Sequence, residues 1–283
     1  MKVIKNALQM QKIALKHLKD GDEIGLVPTM GALHEGHISL LSKSEKNDDI
    51  TIVSIFVNPI QFGANEDYLK YPRPIKKDLD ICRKNHVDYV FMPSVDDMFL
   101  QEHKTFVEVQ KMQDVLCGLF RPAHFEGVAT VVSKLFNISY PDRAYFGMKD
   151  FQQLKILERM ARDLNFRTKI ISCPTVRERS GLALSSRNSY LSEEEKNISL
   201  KISKTLKGAV HEFRNKDLNF VKRNVLNKLK KIPSSRIDYA EIVNFSNLSV
   251  ADNNTKKVVF AVAVWIGKTR LIDNVIMTKR SKG

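Results

Sequence analysis

Short runs of apolar and β-branched residues alternate with helical segments through the first 175 residues of this 283-residue chain. When a strand is followed by a helix and then by another strand, the helix usually carries the chain back across one face of a parallel sheet. The residue pattern predicts five such strands, at 24–27, 52–57, 87–92, 143–147 and 168–172. Helices are predicted before and between them, at 1–19, 38–45, 75–85, 128–138 and 148–165. We therefore expect an α/β fold in which a parallel sheet carries helices on both faces.

This alternation stops at the polar segment 174–181, which begins with a proline and ends with a glycine. Beyond it, two long helices come first and three strands follow, at 192–214, 218–231, 237–243, 257–266 and 270–275. Helices and strands that are segregated in this way favour an α+β arrangement. We therefore predict a larger domain at 1–175 and a smaller C-terminal α+β domain at 176–283.

The composition is that of a globular protein, with 43% hydrophobic and 28% charged residues. No secretory signal is visible at the N-terminus, and the most apolar stretch, 258–266, is too short to cross a bilayer. Three scattered cysteines, Cys82, Cys117 and Cys173, form neither a disulfide framework nor a metal-binding pattern. We therefore expect a cytoplasmic protein that has no membrane partner.

The formal net charge of +14 suggests a nucleic-acid-binding protein as one hypothesis. The basic residues are spread along the chain, however, and no module interleaves aromatic with basic residues. A basic cleft would equally suit ATP and a carboxylate substrate. The charge alone leaves both alternatives open, and we expect small-molecule partners and no nucleic acid.

The turn after the first predicted α/β strand brings several candidate phosphate-binding groups together within a few residues. From Val27 to His37 the residues are V-P-T-M-G-A-L-H-E-G-H, and they lead from a strand into a helix. Amides at a helix N-terminus bind anions, and N–H groups from His34 and His37 beside them suit a phosphoryl group that gains charge during transfer. Zinc is disfavoured because no cysteine or third histidine stands at ligand spacing, and the G-x-G-x-x-G order of a dinucleotide site is absent. The turn therefore predicts a nucleotide-phosphate site without a protein-bound metal.

Further polar groups follow strand ends or begin helices elsewhere in the sequence. Gln61 follows a predicted strand, Lys149 begins a predicted helix, and Gln153 lies on that helix. Residues 185–187 supply two hydroxyls and a guanidinium that suits phosphate geometry. Each of these groups alone is an ordinary surface side chain. Because the carboxyl ends of parallel strands share one edge of a sheet, we expect the groups to meet in a single pocket.

The string P-T-M-G-A-L-H-x-G-H resembles the His-x-Gly-His signature of the nucleotidyltransferase superfamily, and in its full length the pantothenate synthetase family. Five more segments resemble this family in the same order, at 56–63, 121–128, 142–150, 181–188 and 265–274. The resemblance covers nearly the whole chain and is weakest at 193–231. Two positions depart from the family pattern, because Ala123 replaces a frequent glycine and Leu184 replaces a frequent methionine.

The resemblance implies a Rossmann-like sheet and an ATP-dependent ligase. Such an enzyme condenses (R)-pantoate with β-alanine through a pantoyl adenylate, and it releases pantothenate, AMP and pyrophosphate. ATP is then a substrate, Mg²⁺ is expected on its phosphates, and a homodimer is expected. Another member of the superfamily, such as a cytidylyltransferase, would lack paired glutamines for a hydroxy acid. A nucleic-acid-binding protein would instead bind duplex or tRNA with a steep salt dependence.

The resemblance also assigns roles by position. His37 is assigned to catalysis with His34 as its partner, and Lys149, also assigned to catalysis, is placed near the α- and β-phosphates. We expect His37 to act first as an electrostatic stabiliser, since pyrophosphate leaves as a good anion. Gln61 and Gln153 are assigned to pantoate, and Gln61 also to β-alanine. The residues assigned to ATP are Met30, Gly31, Ala32, Leu33, His34, Glu35, Gly36, His37, Gly147, Met148, Lys149, Asp150, Val176, Leu184, Ser185, Ser186 and Arg187.

Overall fold

A computed structural model describes residues 1–64 and 66–279. Its main sheet contains β1 (Lys2–Ile4), β2 (Ile24–Thr29), β3 (Ile50–Ile55), β4 (Tyr89–Phe91), β5 (Arg143–Gly147) and β6 (Lys169–Cys173). The helices connected to it are α1 (Ala7–Asp20), α2 (Glu35–Asn47), α3 (Ile75–Lys84), α4 (Val95–Met98), α5 (Cys117–Phe120), α6 (His124–Ser139) and α7 (Phe151–Asp163). Within the described ranges, no helix has both the length and the apolar character that crossing a bilayer requires.

The strands of the main sheet lie in the order β1-β4-β3-β2-β5-β6, and all neighbouring pairs are parallel. Without the short edge strand β1, this is the 3-2-1-4-5 order of a Rossmann-like sheet. The order reverses between β2 and β5, and open α/β sheets bind ligands beyond the carboxyl ends of the strands at such a point. The predicted fold class is therefore confirmed, and Thr29 and Gly147 end the two strands that flank the crevice.

Alternate side chains of the central strands pack into two layers of core. Leu26 and Ile52 pack with α1, α6 and α7, whereas their neighbours Val27 and Val53 pack with α2 and α3. All four side chains are fully buried. Burial on both faces explains why these strands are continuous apolar runs and do not alternate with polar residues.

The C-terminal part contains α8 (Glu193–Glu212), α9 (Leu218–Lys230) and an antiparallel sheet of β7 (Ser235–Asn244), β8 (Lys257–Ile266) and β9 (Thr269–Thr278). In the central strand β8, Val258, Phe260 and Val262 pack with α8 and α9. Val259 and Ala261 point the other way and join the core of the parallel sheet. The predicted α+β character is confirmed, while the exact division at 175/176 stays a prediction.

The N-terminal helix is shorter than predicted. Residues Lys2–Ile4 form the edge strand β1 beside β4, and α1 begins only at Ala7. Asn6 determines this start, because its side chain accepts a hydrogen bond from the N–H of Gln9 and so caps the helix. The prediction of a helix over 1–19 was therefore wrong for its first six residues.

Candidate active site

The loops beyond β2, β3 and β5 enclose a pocket of about 240 Å³, which adjoins a cleft of about 1100 Å³ beside the C-terminal sheet. Pocket and cleft share Lys149, Gln153 and Arg187 in their walls. The predicted site residues that line the pocket are Met30, His34, Gly36, His37, Gln61, Gly147, Lys149, Asp150, Gln153, Val176, Leu184, Ser185, Ser186 and Arg187. The separated segments therefore converge as expected, and the role of each residue stays a prediction.

The remaining five residues assigned to ATP lie outside this lining. Leu33 and Met148 pack into the hydrophobic core, and Glu35 is exposed in the first turn of α2. Gly31 and Ala32 form a tight turn in which both φ angles are positive, at 82° and 51°. These two residues shape the backbone of the turn and do not present side chains to the pocket.

A buried carboxylate occupies the amides of this turn. Asp78, on α3 and only 1% exposed, accepts hydrogen bonds from the N–H groups of Ala32 at 2.9 Å and Leu33 at 2.8 Å. The N–H of Gly36 also has an internal partner, at 3.1 Å, in the side chain of His34. The expectation that amides of this turn would bind a phosphate is therefore wrong for these three groups. Phosphate contacts from the turn would then come from its side chains or from its other amides.

The two histidines cap helix α2 together. Nδ1 of His34 accepts the hydrogen bond from Gly36, and Nδ1 of His37 accepts one from the N–H of His34 at 3.3 Å. This capping explains why α2 begins at Glu35, three residues before its predicted start. Because each Nδ1 accepts a hydrogen bond, we assign the proton of each neutral ring to Nε2. Each ring therefore retains one N–H donor that the capping does not use.

Burial keeps both imidazoles uncharged at neutral pH. It lowers the pKa of His37 to about 3, with the His34 ring and the Lys149 ammonium adding to the effect. Burial followed by the Lys149 charge lowers the pKa of His34 to about 4. Neutral rings can donate hydrogen bonds to a developing anion, but they carry no readily transferred proton.

Lys149 lies on the 3-10 turn that joins β5 to α7. Its side chain is 19% exposed, and its ammonium nitrogen is 3.9 Å from the carboxylate of Asp150. The ammonium is close enough to both histidines to lower their pKa values. The β5–α7 turn therefore brings a point charge to the same part of the pocket as the imidazole donors.

Residues 185–187 already have partners within the protein. Arg187 donates two hydrogen bonds to Asp67, from Nε at 3.0 Å and from Nη2 at 2.8 Å. The hydroxyls of Ser186 and Tyr71 are 3.1 Å apart. Burial raises the pKa of Asp67, but the hydrogen bonds and charge of Arg187 outweigh it and hold that pKa below its usual value. A phosphate that binds Arg187 has to compete with this carboxylate.

The two predicted glutamines lie in the same pocket. Asn58 uses its amide to bind the Oε1 atom of Gln61 and the carbonyl of Gly127, both at 3.0 Å. The amide nitrogen of Gln61 is 3.0 Å from the sulfur of Met30, which is only a weak acceptor. Gln153 lines the pocket from α7. Gln61 is therefore fixed through its oxygen while its amide hydrogens remain suited to a ligand.

A histidine and an arginine beside Gln61 were missed by the sequence reasoning. Nδ1 of His124 is 2.8 Å from the carbonyl oxygen of Gln61, and Nη1 of Arg121 is 3.0 Å from Nε2 of the same ring. Arg121 also donates to Glu66 from Nε at 2.7 Å. Burial, with the Arg121 charge, lowers the pKa of His124 to about 3. Both residues lie in the segment 121–128, whose resemblance to the family could have pointed to them, but no role was assigned to this segment.

Fold and site together define a class: a nucleotide-binding α/β protein with a His-x-Gly-His turn at the switch point of its sheet. A family model described as pantoate-beta-alanine ligase matches residues 2–276. The chain is 77% identical over 279 residues to the pantothenate synthetase of Endomicrobium trichonymphae, with 99% of each chain covered. It belongs to the pantoate–β-alanine ligase family.

Solved structures of this family have the same fold. The pantothenate synthetase of Thermus thermophilus superposes with a TM-score of 0.91 at 36% identity, with 97% of this chain and 99% of that one covered. The pantoate-beta-alanine ligase of Francisella tularensis, complexed with beta-gamma ATP and beta-alanine, gives a TM-score of 0.81 at 36% identity. The match covers 98% of this chain and 97% of the Francisella enzyme.

Proposed function

We propose that this chain condenses (R)-pantoate with β-alanine and ATP to give pantothenate, AMP and pyrophosphate. Its family and the ligands named for the Francisella structure support these substrates. The observation that carries the proposal is the convergence of four separated segments on one pocket. They contribute His34 and His37, Gln61, Lys149, and residues 185–187.

In the first step, a carboxylate oxygen of pantoate attacks the α-phosphorus of ATP. The bond from that phosphorus to the α–β bridging oxygen breaks, so pyrophosphate leaves and a pantoyl adenylate forms. Negative charge grows on the non-bridging oxygens, where the Nε2–H groups of His34 and His37 and the Lys149 ammonium act as donors. A preorganised donor at such a position contributes about 3–4 kcal/mol to the barrier reduction. The low pKa values of both histidines support hydrogen bonding without proton transfer.

The other contacts orient the two reactants. Gln61 and Gln153 bind pantoate through neutral amides, which leave the charge of its carboxylate available for attack. Val176 contacts the adenine side, and Leu184, whose backbone N–H donates to the Val176 carbonyl at 3.1 Å, closes over the triphosphate together with the residues that follow it. Residues 185–187 bind the triphosphate after Arg187 exchanges its hydrogen bonds to Asp67 for hydrogen bonds to a phosphate. Holding reactants in this way removes much of the entropic barrier to their reaction.

In the second step, the neutral amine of β-alanine attacks the acyl carbon of the adenylate. The bond between that carbon and the AMP oxygen breaks, an amide forms, AMP leaves, and the proton lost by the nitrogen passes to water. Gln61 lies beside the amine in this step. We propose that Mg²⁺ enters with ATP, since Mg²⁺ is usually bound by substrate phosphates and one or two carboxylates. Asp150, half exposed at the pocket, supplies such a carboxylate.

We further propose that the protein is a cytoplasmic homodimer. Its resemblance to the family supports the dimer. All three cysteines are free and buried, which suits a reducing compartment. Sedimentation of the purified protein should give twice the chain mass of 32.4 kDa.

Isotope exchange between pyrophosphate and ATP tests the adenylate step directly. Exchange should require pantoate and should proceed without β-alanine, because the first step is complete before the amine reacts. A reaction without pantoate provides the matched control and should show only background exchange. Exchange in that control, or exchange only when β-alanine is added, would contradict the adenylate mechanism.

A further inference from the structure

The segment 265–274 resembles the family but has no role in the steps above, although its last residue reaches the site. Asn274, on β9 and 8% exposed, donates from its amide to the carbonyl oxygens of Met148 at 3.0 Å and Lys149 at 2.9 Å. Because both partners are acceptors, the nitrogen of the amide and not its oxygen has to face them. One side chain from the C-terminal sheet therefore binds the backbone of the turn that carries Lys149.

Asn274 is itself held in place by its neighbour. Asp273 is 6% exposed and receives two hydrogen bonds from Arg177, at 2.8 and 2.7 Å. The same carboxylate accepts a hydrogen bond from the backbone N–H of Asn274 at 2.8 Å. Arg177 directly follows Val176, which lines the pocket. Strand β9 therefore contacts two segments of the site through two consecutive residues.

The turn that carries Lys149 has little other support on its exposed side. Gly147 precedes it without a side-chain cap, and a Cβ atom placed on Gly147 would meet no described atom within 4 Å. Lys149 forms an ion pair with the half-exposed Asp150, at the long distance of 3.9 Å. The two hydrogen bonds from Asn274 thus join this turn to the edge strand β9 of the C-terminal sheet.

We propose that Asn274 is a positioning residue, which holds the backbone of Lys149 so that its ammonium points at the α-phosphate. This rests on the proposed function, since it assigns Lys149 to the phosphate. We assign Asn274 to positioning because its amide donates both of its hydrogen bonds to the turn, and because its side chain lines the adjoining cleft and not the pocket around the histidines. Displacing a reacting group by about 1 Å can reduce a rate about a hundredfold, so two backbone hydrogen bonds can matter strongly here.

Pyrophosphate–ATP exchange by Asn274→Ala tests the proposal. We expect kcat to fall about ten- to a hundredfold, while the KM for pantoate stays within about twofold, because the glutamines are untouched. Asn274→Asp keeps the shape of the side chain but turns acceptors toward both carbonyls, so it should show the same loss. This second variant tests the contact if the alanine variant folds poorly. Asn253→Ala is the matched control, because Asn253 binds the N–H of Leu218 at 3.2 Å within the C-terminal part, and it should exchange at the wild-type rate.

A double-mutant cycle shows whether Asn274 acts through Lys149. In a Lys149→Ala background, Asn274→Ala should change kcat by less than about twofold, because the side chain that it positions is gone. Full additivity of the two losses, or wild-type kcat in both Asn274 variants, would overturn the positioning role. Wild-type protein that shows no pantoate-dependent exchange would overturn the proposed function, and the role of Asn274 with it. Active wild-type protein together with wild-type kcat in both Asn274 variants overturns the positioning role alone.

Discussion

Two carboxylates near this pocket accept hydrogen bonds from different kinds of donor. Asp78 is buried and accepts hydrogen bonds from two backbone amides of the histidine turn. Asp67 has a side chain that is 24% exposed, and it binds the guanidinium of Arg187. The first contact shapes the turn whether or not substrate is present. The second occupies a cation that the proposed reaction requires.

The Asp78 contact is also the harder of the two to replace. Leaving a buried hydrogen-bonding group without its partner costs about 1–3 kcal/mol. The Asp67–Arg187 pair is about a quarter exposed, and a phosphate matches the same guanidinium geometry while carrying more negative charge than one carboxylate. A triphosphate can therefore compete with Asp67 for Arg187 but not with Asp78 for the amides. The histidine turn is preorganised, whereas the arginine segment has to exchange partners when ATP binds.

Removing a donor from the preorganised region should have the largest effect. We expect His37→Ala to lower kcat for pantothenate formation about a hundredfold or more, since it deletes one oriented donor at the α-phosphate. His86→Ala is the control, because the side chain of His86 is 75% exposed and binds Glu45 outside the pocket lining. Circular dichroism should show both variants folded. A near-wild-type rate in His37→Ala would reduce this histidine to a helix cap.

Substituting the two carboxylates should shift the KM for ATP in opposite directions. Asp67→Asn removes the charge that competes for Arg187, so we expect KM to fall about threefold, which is less than 1 kcal/mol. Asp78→Asn weakens the support of the histidine turn, so KM should rise and kcat should fall. Initial rates over a range of ATP concentrations measure both. A shift in the same direction for both variants would show that the two regions do not differ as described.

Features that depend on local pattern could be predicted from the sequence. The central strands, the histidine turn and the paired glutamines followed from apolar runs and from polar residues at strand ends, because the topology brings those ends together. The roles of Asp78 and Asn274 could not be predicted in this way. Each binds backbone atoms, of Leu33 and Lys149, at separations of 45 and 125 residues. A single polar residue in an otherwise regular helix or strand carries no periodic signal of such a contact.

The smallest expected difference between the two regions is in how the free energy of unfolding depends on pH. His37 has a pKa of about 3 in the folded protein, against about 6.5 in an unfolded chain. Below pH 6.5 the unfolded chain therefore binds a proton that the folded protein does not, and stability falls as the pH decreases toward the folded value. The pKa of Asp67 is lowered from an ordinary value of 3.8, so its pair with Arg187 adds stability that is lost only under more acidic conditions.

Urea unfolding at pH 7.5 and pH 5 measures this difference. His37 alone should cost the wild-type protein about 2 kcal/mol between these two values, because only the unfolded chain is protonated there. His37→Gln removes that contribution, so its stability should depend less on pH by about the same amount. His34 and His124, whose pKa values are also lowered, contribute to the pH dependence of both proteins. Asp67→Asn should leave the difference unchanged, since this carboxyl is ionised in both states at pH 5. An equal loss of stability in wild type and His37→Gln would mean that the ring is not held neutral, and the histidine turn would then be no more preorganised than the arginine segment.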